Sequence, residues 1–173
     1  ALPISPTVAP TVTPTPAYTM TNLTCVPNGS DDDGDKLTYA YRWYVNSSNV
    51  ATTATLSSKL TLKGDSVYCQ VSASDGSVST AYVSSKSITI SNTAPTASPS
   101  ISPTSGTTTT SFTCTANASD VDSDRLTTTY RWVRNGTIDT RVATATYSST
   151  YTTKGDSIYC QVNTSDGSAS TGW

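Results

Sequence analysis

The chain repeats itself once, and that repeat limits what it can fold into more than any other feature. Leu23-Thr24-Cys25 returns as Phe112-Thr113-Cys114. Asp31, Asp33, Asp35 and Leu37 return as Asp120, Asp122, Asp124 and Leu126, and Tyr41-Arg42-Trp43 returns as Tyr130-Arg131-Trp132, all at an offset of 89. After a two-residue insertion, Lys63-Gly64-Asp65-Ser66-Val67-Tyr68-Cys69-Gln70-Val71 returns as Lys154-Gly155-Asp156-Ser157-Ile158-Tyr159-Cys160-Gln161-Val162. Ser74-Asp75-Gly76-Ser77 then matches Ser165-Asp166-Gly167-Ser168. So dense a self-match predicts two copies of one fold. Each copy has roughly 85 residues, a size at which a core alone is marginal and cross-links add needed stability.

Within each copy the apolar period is two. Leu37, Tyr39, Tyr41, Trp43 and Val45 fall on one face, with Thr38, Ala40, Arg42 and Tyr44 on the other. Val67, Cys69, Val71 and Ala73 alternate with Tyr68, Gln70 and Ser72 in the same way. Such alternation predicts strands with one buried face. Ser and Thr exceed a third of the chain and no Glu is present, a composition suited to strands and turns rather than helices. Asp75-Gly76 and Asp166-Gly167 fit tight turns, where Gly accepts positive φ without steric cost. The expected fold class is all-β.

The order Cys…Trp…Cys, with the Trp on a middle strand in register with the buried face, resembles the immunoglobulin fold. The Asp-x-Asp-x-Asp-x-Leu-Thr stretch and the Lys-Gly-Asp-Ser-x-Tyr-Cys strand are similar to the Ig-like and cadherin-like repeats of microbial surface proteins. The tyrosine spacing before the second Cys of antibody domains is missing. The resemblance implies two tandem immunoglobulin-like β-sandwich domains, residues 7–93 and 94–173. It also implies disulfides Cys25–Cys69 and Cys114–Cys160, each contributing roughly 3–4 kcal/mol in the chain-entropy model. Disulfides imply an oxidising, extracellular setting at a cell surface or in a secreted assembly. Trp43 and Trp132 fall on the buried face and are expected in the cores rather than on a sugar-binding platform.

The two copies end differently. The first continues past Tyr82 into Val83–Asn92, where Ile88 and Ile90 alternate as a last strand should, whereas Trp173 is the counterpart of Tyr82. The second domain is therefore expected to lack its last strand. Residues 1–6 carry Leu2-x-Ile4, the same spacing as Ile88-x-Ile90, and look like the end of a preceding repeat. The expectation is an extended N-terminal donor strand, with Leu2, Ile4 and Val8 supplying its apolar side chains to the incomplete domain of a neighbour. Different donor and acceptor surfaces make a head-to-tail homo-oligomer, which is a filament unless it closes into a ring. The architecture resembles the glycosylated Ig-like filaments of microbes in natural waters. The alternative is an Ig-like repeat fragment of a larger cell-surface adhesin or secreted modular protein.

Asn22, Asn28, Asn46, Asn117, Asn135 and Asn163 each begin an Asn-x-Ser/Thr sequon, so N-linked glycans are the expected decoration. Asp31, Asp33 and Asp35, like Asp120, Asp122 and Asp124, are spaced to converge on a hard cation, with calcium as the candidate ligand. No Glu stands at the EF-hand position, and a solvated, turn-forming Asp loop is the competing reading. The net charge of -2 offers no basic surface for phosphates, so nucleic acid is not an expected partner. No apolar run approaches the ~20 residues of a membrane span, and no membrane insertion is expected. With neither His nor Glu, and with the cysteines expected in disulfides, no enzymatic role is expected.

Overall fold

Strands are the main regular structure in the computed structural model, which describes residues 10–32 and 34–173, and its helical turns are confined to Ser58–Leu60 and Ser149–Tyr151 among those residues. The chain divides between Asn92 and Thr93 into two compact units, Ala1–Asn92 and Thr93–Trp173. Among the described residues no helix is long and apolar enough to cross a membrane.

The first unit carries β1 (Thr11–Thr13), β2 (Ala17–Tyr18), β3 (Leu23–Val26), β4 (Thr38–Val45), β5 (Ser48–Ala51), β6 (Thr55–Leu56), β7 (Ser66–Ser74), β8 (Val83–Ser84) and β9 (Ile88–Ser91). One sheet runs β1-β3-β6 and the other β2-β9-β7-β4-β5, with β8 also paired to β7. Burial follows the pleat: Leu23 and Cys25 point inward from β3 while Thr24 and Val26 face out. Val12, Leu23, Cys25 and Leu56 from one sheet meet Trp43, Val67, Cys69, Val71 and Ile90 from the other in a single core, consistent with a β-sandwich. Cys25–Cys69 joins the two sheets through this core. Buried Trp43 satisfies its indole N–H by donating to the Thr53 carbonyl at 2.9 Å.

The second unit carries β10 (Thr96–Ala97), β11 (Ser100–Ser102), β12 (Phe112–Thr115), β13 (Ala118–Ser119), β14 (Thr127–Arg134), β15 (Thr137–Asp139), β16 (Thr146–Tyr147) and β17 (Ile158–Ser165). Its sheets run β11-β12-β16 and β15-β14-β17, with β10-β13 as a separate ribbon. Phe112, Cys114, Trp132, Val142, Tyr147 and Val162 form the core, and Cys114–Cys160 joins the sheets. The Trp132 indole N–H donates to the Thr144 carbonyl at 2.9 Å, repeating the contact of Trp43.

The Lys-Gly-Asp-Ser motif is repeated for a structural reason. Asn46 and Asn135 adopt φ of 48° and 49° in the turns after β4 and β14, a left-handed conformation that Asn tolerates better than most residues. Asn46 Nδ2 donates to Asp65 Oδ1 at 2.7 Å, and Asn46 Oδ1 accepts from the Ser66 N–H at 3.1 Å. Asn135 makes the same pair of bonds to Asp156 at 2.8 Å and Ser157 at 2.9 Å. The motif's Asp and Ser thus tie the start of the long strand to the opposite turn. Arg134 beside it is the main reason that the Asp156 carboxyl stays well below the usual carboxylate range.

Candidate docking groove

β7 is paired along both edges. β4 occupies one, and β8 followed by β9 occupies the other. The Ile90 N–H donates to the Asp65 carbonyl at 2.9 Å, the Gly64 N–H donates to the Ile90 carbonyl at 2.9 Å, and the Ser85 N–H donates to the Cys69 carbonyl at 2.8 Å. The Ile90 side chain is buried in the core, and Lys63 Nζ donates to Asn92 Oδ1 at 3.1 Å just beyond the strand.

β17, the counterpart of β7, pairs with β14 along one edge. Among the described residues no strand pairs with its other edge, and the returning chain meets it only at Ser165 and Thr164. Where the first unit places β9, the second has a groove of about 680 Å³. Its apolar walls are Ile101, Phe112 and Ile158, and its floor includes Gly155, Asp156 and Ser157. A smaller hollow of about 230 Å³ touches Gln161 and Val162, the counterparts of the two residues that pair with β8. Burial differs accordingly. Val67 and Cys69 are each 0% exposed, whereas Ile158 and Cys160 are only partly buried. One sequence pattern, used twice, is sealed in one unit and open in the other.

Of the donor-strand residues named from sequence, Leu2, Ile4 and Val8 lie outside the described residues. The sequons divide by how their side chains are used. Among the described residues, exposed Asn28 makes no side-chain hydrogen bond, and exposed Asn22 engages only its Oδ1, accepting from the Ser58 N–H at 2.8 Å. Asn46 and Asn135 are exposed but bonded through both amide ends, as described above. Exposed Asn117 donates from Nδ2 to the Ser98 carbonyl at 2.9 Å and to Ser100 Oγ at 3.1 Å. Asn163 differs from the other five, which are exposed. It is half-buried opposite Thr129 on β14, with its Oδ1 enclosed and unbonded.

In the second Asp run, Asp120, Asp122 and Asp124 bring carboxylate oxygens within 4.8 Å of one another. Asp120 Oδ1 also accepts from the Asp122 and Asp124 N–H groups at 2.8 and 3.3 Å, which is the work of a turn-forming carboxylate. In the first run the Asp35 N–H donates to Asp31 Oδ1 at 3.1 Å, and Asp33 lies outside the described residues.

One polar cluster escaped the sequence reading. Asp139 is buried, and Tyr147 is fully buried beside it, donating its hydroxyl to Asp139 Oδ2 at 2.5 Å. Arg141 Nε donates to Asp139 Oδ1 at 2.7 Å while its Nη2 closes on Asp139 Oδ2, giving a two-point ion pair. Arg141 holds the Asp139 carboxyl well below the usual carboxylate range. Burial, reinforced by Asp139, pushes the Tyr147 hydroxyl up to about 12. The first unit places Ala51 opposite Trp43 where the second places Asp139 opposite Trp132. Leu56 likewise stands where the second unit has Tyr147. The available signal was this pair of apolar-to-polar changes between copies. No protein-family model matches the chain, and no curated protein matches it.

Proposed function

We propose that this chain is the structural subunit of an extracellular, glycosylated filament built from immunoglobulin-like domains, in which each subunit lends its N-terminal segment to the second unit of a neighbour. One observation carries the reading: the groove beside β17 is open where the matching groove beside β7 is filled by the chain's own β9. A groove with apolar positions at Ile101, Phe112 and Ile158, next to a strand edge unpaired among the described residues, accepts an added strand through backbone hydrogen bonds and alternate side-chain pockets. Leu2 and Ile4 repeat the spacing of Ile88 and Ile90, so the chain encodes a suitable strand itself. Burying them contributes roughly 1.5–3 kcal/mol each, and each backbone hydrogen bond adds about 0.5–1.5 kcal/mol. Donor and acceptor are different surfaces, so the contact propagates head to tail. Exposed Asn22 and Asn28, whose Nδ2 atoms make no hydrogen bond among the described residues, are the best placed of the six sequons for glycans.

Electron microscopy of the native material and of a chain lacking residues 1–6 tests the proposal. The full chain is expected to form filaments. The shortened chain is expected to stay unassembled with its first unit folded, because that unit holds its own β8 and β9. Filaments from the shortened chain would overturn it. So would a longer natural chain in which residues after Trp173 fill the groove, which would make this a repeat of a larger surface protein.

A further inference from the structure

We infer that the strand entering the groove beside β17 takes the register of β9, with Ile4 in the place of Ile90, Leu2 in that of Ile88, and Pro3 turned away from β17. The inference rests on the filament reading above and specifies how its contact is made.

β9 is the template. Ile90 directs both its N–H and its C=O toward β7, to Asp65 and from Gly64. Backbone direction alternates along a strand, so Ile88, which pairs with Val67, faces β7 as well, and Thr89 between them points its N–H and C=O away. The second unit offers the same chemistry: the Asp156 carbonyl, the Gly155 N–H and Ile158 stand in the positions of Asp65, Gly64 and Val67 along the groove. A guest strand must therefore supply an N–H and an apolar side chain at two positions separated by one residue. At the position between them it needs no N–H toward β17.

Proline decides among the possible registers, because it has no N–H to give. Placing Ile4 at the Ile88 position puts Pro6 where the Asp156 carbonyl needs a donor. Placing Val8 at the Ile90 position puts Pro6 opposite Ile158, and placing Val8 at the Ile88 position puts Pro10 against Asp156. Only the pair Leu2 and Ile4 brings two large apolar side chains with both N–H groups intact. In that register Pro3 falls at the Thr89 position, where the missing N–H costs no bond to β17. Pro3, which has no N–H to give a strand ladder, thus sits at the one position that tolerates it.

Peptides spanning residues 1–9 test this as competitors of filament elongation by the full-length chain. The unmodified peptide is expected to cap growing ends and slow elongation. Methylating the backbone nitrogen of Ile4 is expected to weaken it at least tenfold, whereas Pro3→Ala is expected to leave its potency within about twofold. If methylation at Ile4 is harmless while the Pro3→Ala peptide loses its potency, the register is wrong but the filament reading survives. If no peptide competes while filaments still grow, the N-terminal donor is wrong and the register fails with it.

Discussion

Mild thiol treatment of the unassembled chain is expected to open Cys114–Cys160 at least tenfold faster than Cys25–Cys69. A thiolate must reach a sulfur to start exchange, forming a mixed disulfide that a second thiol resolves, so access controls the rate. Cys25 and Cys69 are 1% and 0% exposed, and the backbone beside Cys69 is covered by Ser85 on the edge that β8 and β9 occupy. Cys160 is only partly buried, because among the described residues no strand covers the matching edge of β17. Brief exposure to dithiothreitol without denaturant, trapping of free thiols and peptide mapping would give the two rates. Losing a disulfide from a small domain costs roughly 2–5 kcal/mol, so the second unit is expected to unfold soon after its bond opens. Assembly should erase the difference, since an added strand covers the same edge. Equal rates in the unassembled chain would show that the groove does not expose the disulfide.

Asp139→Ala is expected to destabilise the second unit by roughly 3 kcal/mol and to leave the first unchanged. The substitution leaves the buried Tyr147 hydroxyl without its acceptor and Arg141 without its two-point partner. Removing one member of a buried hydrogen-bonded pair costs more than the pair itself contributes, because the survivor is desolvated and unmatched. On a unit of this size that loss lowers Tm by more than about 10 °C, readable by calorimetry as separation of the two transitions. The pH dependence follows the same residues. The folded-state pKa of Asp139 is depressed, so its stabilisation is full above the unfolded value near ~3.9 and is lost as pH falls through the lower folded value. The Tyr147 pKa is raised to about 12, so a second loss is expected as pH climbs from the unfolded value near ~10 toward it. Tyr147→Phe should remove the alkaline limb. A variant Asp139→Ala melting within a few degrees of the parent would mean that the cluster is structurally incidental.

Much of the fold was legible because its determinants are local or repeated. Alternation in β4 and β7 placed Trp43, Val67 and Cys69 inward before any partner strand was known, since successive side chains on a strand must face opposite ways. Repetition of the Asp65 motif was visible too, but its meaning was not. Only the folded chain brings Asp65 back to the Asn46 turn, so the most strongly repeated polar motif proves to be a brace. The six sequons looked equivalent in sequence, yet folding leaves Asn28 free, ties down Asn46, Asn117 and Asn135, and encloses the Asn163 carbonyl.

By itself, then, the sequence determined the strands, their buried faces and the duplication, because side-chain period and self-similarity are properties of the chain alone. What lies beside each strand was decided only by tertiary structure. Val67 and Ile158 are near-identical residues in near-identical motifs, but one is sealed by β9 and the other borders a groove. Ala51 and Asp139 likewise share a place opposite a buried Trp, and only the second must bring its own cation and hydroxyl. A strand's period fixes which way a side chain points. Burial and pairing depend on whatever segment the fold lays against it, and that segment can lie anywhere in the chain or in another copy.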